Sequence, residues 1–261
     1  MSEITSKYGI DAFWMRAAGM DQSLREYANT IAGLKAQSEL EQASIRFLKS
    51  RGCRFMSYHY LPPVGSSESE YDPGQLIYAY GFPQSWVTRY IDDRLFKTDP
   101  IPRISQASTK PFKWLDLVGA SGLSSKESEF MDILASEGLG NGLAIPVFGP
   151  HGRNGYCGVG YGPLSGVPEG DEVTVLFEAC QLSHLKFCDL NPLEPIEAKL
   201  SDREAETLRW VARGLSNGKI AREMGISPST VDTNLKRIFK KLGVRDRVSA
   251  ALRGIVVGVF D

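Results

Sequence analysis

LSDREAETLRWVARGLSNGKIAREMGISPSTVDTNLKRIFKKLG, residues 200–243, carries three helix signatures in a row. Ser201 with Glu204 three positions later forms a capping box, in which each side chain satisfies a backbone N–H at a helix start. The helix it opens places Ala205, Leu208, Val211 and Ala212 on one face and ends at Gly214. A second helix is expected over about 217–224, burying Ile220, Ala221 and Met224. Gly225 then supplies the left-handed backbone that a tight turn between helices requires. Ser227-Pro228 starts a third helix, with Ser as N-cap and Pro at the first position, where its missing N–H costs nothing. Val231, Leu235, Ile238 and Leu242 form its buried stripe, leaving Thr230, Thr233, Lys236, Arg237 and Lys240 on a basic, hydroxyl-bearing outer surface. A helix held by one side, with its N-terminal half free, can enter a DNA major groove. The competing reading is a solvated face of a small bundle. The spacing of Ala221, Gly225 and Val231 favours the recognition helix.

Charge agrees with this. The whole chain of 261 residues carries a net charge of −1, but residues 196–261 carry 13 Lys+Arg against 8 Asp+Glu, leaving an acidic remainder. A basic tail on an acidic body fits a chain in which only the tail meets a polyanion. At 42% hydrophobic and 23% charged residues the composition is that of a soluble globular protein, long enough for two domains. No apolar run approaches the roughly 18 residues of a membrane span, and the N-terminus lacks a secretory pattern, so a cytoplasmic protein with no membrane partner is expected. Four scattered cysteines without a CxxC pair, and three scattered histidines, point to no disulfide framework and no metal site.

Upstream, residues 189–197 hold two prolines and little periodicity, which reads as a linker. Before it, helices are expected over 34–49, 86–96, 124–138 and 171–188, the last with Val175, Leu176, Ala179, Leu182 and Leu185 inward. Strands are expected over 54–61, 75–80, 142–148 and 156–161, and a polar loop over 64–74. Helices around a mainly antiparallel sheet give an α+β N-terminal domain, an α-β-α sandwich, joined to an all-α helix-turn-helix domain. The expected boundaries are 1–188, a linker over 189–198, and 199–261.

Residues 81–114 concentrate candidate pocket groups. Trp86 and Tyr90 stand four apart on one helix face and so meet. Asp99-Pro100 follows in a stretch expected to be extended, then Trp114. Two indoles, a phenol and a carboxylate could line an apolar pocket; on periodicity alone the simpler reading is core aromatics and a turn. No Ser or Cys sits in a nucleophile motif with a base, so an enzyme is not expected.

The tail resembles the LuxR-type helix-turn-helix over about 199–258, through Leu200, Arg203-Glu204, Leu208, Gly214, Ser216-Asn217, Ile220-Ala221, Ile226-Ser227, Thr230-Val231, Lys241-Leu242 and Val244. It departs at Lys219, usually Glu in that family, and at Asn234, often His. The resemblance places Asp232 and Lys236 near base edges, and makes Glu204, Leu208 and Gly214 structural. Residues 30–188 look like the autoinducer-binding domain of LuxR-type quorum-sensing regulators, whose recurrent Trp, Tyr, Asp-Pro, Trp and Gly are filled by Trp86, Tyr90, Asp99-Pro100, Trp114 and Gly142.

That resemblance implies a small-molecule effector, an N-acyl-homoserine lactone, and no cofactor. Trp86 would donate to the lactone carbonyl, Asp99 would accept from the ligand amide, and Trp114 and Tyr90 would pack on the ring and proximal chain. Pro100 and Gly142 would be structural. Phe82 stands where many relatives carry a Tyr that binds the acyl carbonyl, and Gly160 where a Ser or Thr is frequent. These departures imply an unusual acyl group, long, bulky or aryl. Partners implied are double-stranded DNA with a near-palindromic site and a second copy of the chain, with Val248, Ala251, Leu252, Ile255 and Val259 on a candidate dimer stripe. The alternatives are control by a non-lactone molecule or by a partner protein.

Overall fold

The computed structural model describes residues 21–61, 75–163, 165–192, 200–256 and 258–260. The expected loop over 64–74 and most of the expected linker lie outside these. The chain divides into two compact units, one built from residues up to Asn191 and the other mainly from Pro192 to Asp261.

In the first unit, helices α1 (Gln22–Ala32) and α2 (Gln37–Ser50) precede strands β1 (Phe55–Leu61) and β2 (Gln75–Tyr80). Helices α3 (Gln84–Asp92) and α4 (Ile101–Ala107), strand β3 (Phe112–Lys113), helix α5 (Ser125–Ser136), strands β4 (Gly142–Val147) and β5 (Asn154–Gly160), and helix α6 (Asp171–Leu190) follow. The five strands form one antiparallel sheet in the order β2-β1-β5-β4-β3. The α-β-α sandwich is therefore present.

Period-2 alternation divides the two cores. Met56 and Tyr58 of β1, Leu143, Ile145 and Val147 of β4, and Cys157 and Val159 of β5 pack against α1, α2 and α6. Phe55 and Leu61 of β1, Ala144 of β4 and Tyr156 of β5 face the opposite way, against Trp86 of α3, Ile101 of α4 and Phe130, Met131 and Leu134 of α5. All four cysteines are buried and unbridged. On α6 the buried face is Leu176, Ala179, Cys180, Leu182, His184, Phe187 and Cys188, so Val175 and Leu185 sit at its margin.

Strand β3 was not expected and the helix expected over 86–96 ends at Asp92; two further departures have a clear physical cause. Asp99-Pro100 is not extended: Pro100 has helical dihedrals and its carbonyl accepts from Ile104 N, opening α4. A proline at a helix start needs no N–H donor, which explains how α4 begins there. Helix α1 was hidden because its apolar residues are few; Leu24, Tyr27 and Ile31 nevertheless make a complete 3–4 spaced stripe.

The second unit holds α7 (Asp202–Ala212), α8 (Asn217–Met224), α9 (Pro228–Leu242) and α10 (Arg247–Val256). Leu208, Ile220, Val231, Ile238 and Ala250 form its core at 0% exposure. Ser201 caps α7 in a full capping box with Glu204, and Ser227 caps α9. Gly225 turns at φ 63°, which an L side chain rarely adopts. Gly214 follows the end of α7 with φ 78°. Ala212, expected on the buried face, is exposed; Glu204 and Thr207 are buried instead. Thr207 Oγ accepts from Asn234 Nδ2 at 3.2 Å, and Glu204 accepts from Lys241 Nζ at 2.6 Å. Buried polar groups are tolerated there because each has a partner. Val259 is fully buried beyond the end of α10, off the stripe where Val248 and Ile255 are exposed.

Candidate functional site

A cavity of about 130 Å³ lies between the sheet and the layer of α3, α4 and α5. Its helical wall includes Trp86, Val87, Tyr90, Ile91, Asp99, Ile101, Phe130 and Leu134; its sheet wall includes Ser57, His59, Leu76, Ala79, Tyr156 and Gly158. Phe82 and Trp114 complete the lining. Five of the expected binding residues, Phe82, Trp86, Tyr90, Asp99 and Trp114, thus converge on one space although 32 positions separate the first from the last.

Each wall follows from local structure. On α3, Trp86 and Tyr90 are one turn apart with ring centroids 5.8 Å from each other, and both contact Phe130 of α5. On the sheet, β1 presents Ser57 and His59 opposite Gly158 and Tyr156 of β5. A register shift in the β1–β2 pairing places Ala79 opposite Ser57 and Leu76 opposite His59. Three residues apart on one strand, Ala79 and Leu76 would point to opposite faces without that bulge; with it they share the cavity face.

Asp99 is a carboxyl in the lining held by two hydrogen bonds. Its Oδ1 accepts from Ile101 N at 2.8 Å and its Oδ2 from the Tyr90 hydroxyl at 3.0 Å. Burial pushes its carboxyl up to about 7, although both hydrogen bonds favour the charged form. A carboxylate so held keeps lone pairs for a donor arriving in the cavity. Trp114 Nε1 is buried and has no hydrogen-bond partner among the described residues.

Gly142 touches Trp114: a Cβ there would lie 2.3–2.7 Å from the indole ring, so the absent side chain is what lets the ring settle on β4. Pro100 is buried at the start of α4. Gly160 is not in the lining. The Phe55 ring occupies the space over it, 1.8 Å from where its Cβ would be. Gly158, two residues earlier on the same face of β5, is the strand glycine that borders the cavity. Ser57, His59, Tyr156 and Gly158 escaped the sequence reading. The signal was present as odd-numbered alternation on β1 and even-numbered alternation on β5, but register alone says which strands meet.

In the second unit, Thr230, Asp232, Thr233, Lys236, Arg237 and Lys240 of α9 are all exposed while Val231, Leu235, Ile238 and Leu242 are buried. Asp232 has a local partner that spacing did not reveal. Its Oδ1 accepts from Asn217 Nδ2 at 2.6 Å, and Asn217 Oδ1 accepts from Arg247 at 2.7 Å. The first residue of α8 and the first of α10 thereby fix a carboxylate on the outer face of α9.

A ligand-sized cavity in an α-β-α unit and a helix-turn-helix unit in the same chain define a small-molecule-responsive transcriptional regulator. The family described as "Autoinducer binding domain" matches residues 36–184, and that described as "Bacterial regulatory proteins, luxR family" matches residues 198–253. The chain is 26% identical over 232 residues to the transcriptional activator AnoR of Acinetobacter nosocomialis, covering 87% of this chain and 94% of AnoR. It is 30% identical over 187 residues to the transcriptional activator AhyR of Aeromonas hydrophila, covering 68% and 71% of the two chains. Its fold is similar to the crystal structure of Escherichia coli SdiA, with a TM-score of 0.71, 20% identity, and coverage of 90% and 97%. The chain belongs to the LuxR family of autoinducer-binding transcriptional regulators. No helix among the described residues is long and apolar enough to cross a membrane.

Proposed function

We propose that this regulator senses an N-acyl-homoserine lactone through residues 1–188 and binds a near-palindromic DNA site through residues 199–261, as a cytoplasmic homodimer. The observation that carries the reading is the convergence of Asp99, Tyr90, Trp86 and Trp114 on one cavity. Asp99 accepts from the ligand amide N–H, a charge-assisted bond of about 1.5–3 kcal/mol. Trp86 donates to the lactone carbonyl, and Tyr90 and Trp114 pack on the ring and proximal chain. Each methylene taken out of water adds about 0.8 kcal/mol, so chain length sets affinity. Phe82, without a hydroxyl in the lining, favours an unusual acyl group, long, bulky or aryl.

Ligand completes the apolar layer between sheet and helices and stabilises the fold in proportion to its occupancy. Two tails then present α9 to two half-sites, with Thr230, Thr233, Lys236, Arg237 and Lys240 approaching phosphates and bases. Val248 and Ile255, 68% and 57% exposed on α10, are the apolar contacts offered to a second copy.

Thermal melting of the purified chain with a panel of N-acyl-homoserine lactones tests this. A rise in melting temperature, largest for long, bulky or aryl acyl groups, is expected. A flat response to the whole panel would favour control by a partner protein, and a maximum at short unsubstituted chains would overturn the acyl-group reading.

A further inference from the structure

On the outer face of α9, the hydrogen bonds of the two threonines stay within the helix and its cap. Thr233 Oγ1 donates to Ser229 O, and Thr230 Oγ1 pairs with Ser227 Oγ. Asp232 on the same face is held from two other helices. Its Oδ1 accepts from Asn217 Nδ2 at 2.6 Å, and Asn217 Oδ1 accepts from Arg247 Nη1 at 2.7 Å. The second terminal nitrogen of the Arg247 guanidinium donates to Leu215 O, which anchors the far end of the chain. A guanidinium only donates and a carboxylate only accepts, so the amide between them can lie one way, oxygen to Arg247 and NH2 to Asp232. Among the described residues nothing donates to Asp232 Oδ2, and the residue is exposed. An exposed contact of this kind adds little to stability. What it adds is orientation.

We infer that Asn217 and Arg247 are positioning residues for DNA sequence reading: they hold Oδ1 of Asp232 so that Oδ2 accepts from the N4 amino group of a cytosine in the major groove. This deepens the DNA-binding reading above and rests on it. Adenine also offers an amino group there, but N7 beside it is an acceptor and repels a carboxylate; cytosine has no acceptor in that place. Phosphates repel the carboxylate as well, so Asp232 adds selectivity and not general affinity. A free aspartate divides its time among about three staggered χ1 wells. The bond from Asn217 selects one of them before DNA arrives, and the ordering cost is then absent from the binding step. Asn217 and Arg247 touch no base in this arrangement; they act through Asp232.

The test uses the full chain, with and without the lactone panel, and selection from a randomised double-stranded DNA pool. Asp232→Ala identifies the base pair concerned. A wild-type preference for cytosine at one position, about tenfold for one hydrogen bond, should disappear in that variant. Asn217→Ala and Arg247→Gln should each lower the same preference about threefold, by returning the carboxylate to its free wells, and leave other positions unchanged. Combining Asn217→Ala with Asp232→Ala should select as Asp232→Ala alone does, because the two residues act as a unit. A purely structural brace would weaken binding to every sequence alike and keep the cytosine preference; that result for Asn217→Ala overturns the inference. So does an Asp232-dependent preference for another base, or the lack of any. Each of these leaves DNA binding itself standing, whereas a wild-type chain that enriches no sequence under any condition removes both.

Discussion

Neutralising Asp99 should stabilise the empty protein and blind it to its ligand. The carboxyl is surrounded by protein, which lifts its pKa from 3.8 to about 7. Between those values the folded chain keeps a proton that the unfolded chain releases, so stability falls as pH rises through that window. About three pKa units convert to an upper bound on the order of 4 kcal/mol above pH 7. For a unit of this size that is roughly 8–16 °C in melting temperature. Asn fits the same space: its oxygen can accept from Ile101 N, and the Tyr90 hydroxyl can turn to accept from its amide group. Asp99→Asn is therefore expected to melt above wild type at pH 8, with the gap narrowing to less than half at pH 5. The ionised carboxylate is also the acceptor for the ligand amide, so wild-type affinity should drop about tenfold for each pH unit below 7. Asp99→Asn should bind roughly 10- to 150-fold more weakly, from loss of a charge-assisted bond. Melting curves from pH 5 to 8.5, with and without ligand, decide the matter. A wild-type stability that is flat across this range, or an Asn variant less stable than wild type at pH 8, would refute the reasoning.

Three further outcomes are expected. Gly142→Ala places a methyl within 2.3–2.7 Å of the buried Trp114 ring, which must shift; a loss of about 1–3 kcal/mol and of ligand response is expected, and wild-type melting with intact ligand response would contradict it. Glu204→Ala removes the acceptor of both Ser201 N and Lys241 Nζ at 3% exposure; a cost of about 1–3 kcal/mol should appear in urea denaturation of the full chain, and an unchanged midpoint would deny the pair its structural role. Asp232→Ala should change which DNA is selected from a randomised pool more than how tightly DNA is held, because a carboxylate can accept from a cytosine amino group but repels phosphate. Equal loss of affinity on every sequence would argue that Asp232 only braces Asn217.

The helix-turn-helix was legible almost residue by residue. Its determinants are local: a capping box at Ser201 and Glu204, Gly225 at positive φ, Ser227-Pro228 at a helix start, and a 3–4 spaced stripe through Val231 to Leu242. Local rules place such features without reference to any long-range contact, and here the local choices agree with the global fold. Strand positions on β1, β2, β4 and β5 were legible for the same reason, through alternation. What local rules missed was partnership. Asn234, a departure from the family pattern, donates to Thr207, and Asp232 accepts from Asn217, which is itself held by Arg247.

The pocket divides along the same line. Residues 81–114 could be singled out from their types and intervals, but whether Trp86 and Asp99 face one space depends on α4 starting at Pro100 and on α5 packing Phe130 against Trp86 and Tyr90. Ser57 and Gly158 came into view only once β1 was paired with β5, and Leu76 and Ala79 only through a bulge that changes which way the β2 side chains point. Amino-acid order alone determined most of the elements, the caps of α7 and α9 and most apolar faces, because each depends on neighbours within a turn or a strand. Only the tertiary structure decided which faces meet, which glycine borders the cavity and which N–H is stranded, because those depend on atoms brought together from distant parts of the chain.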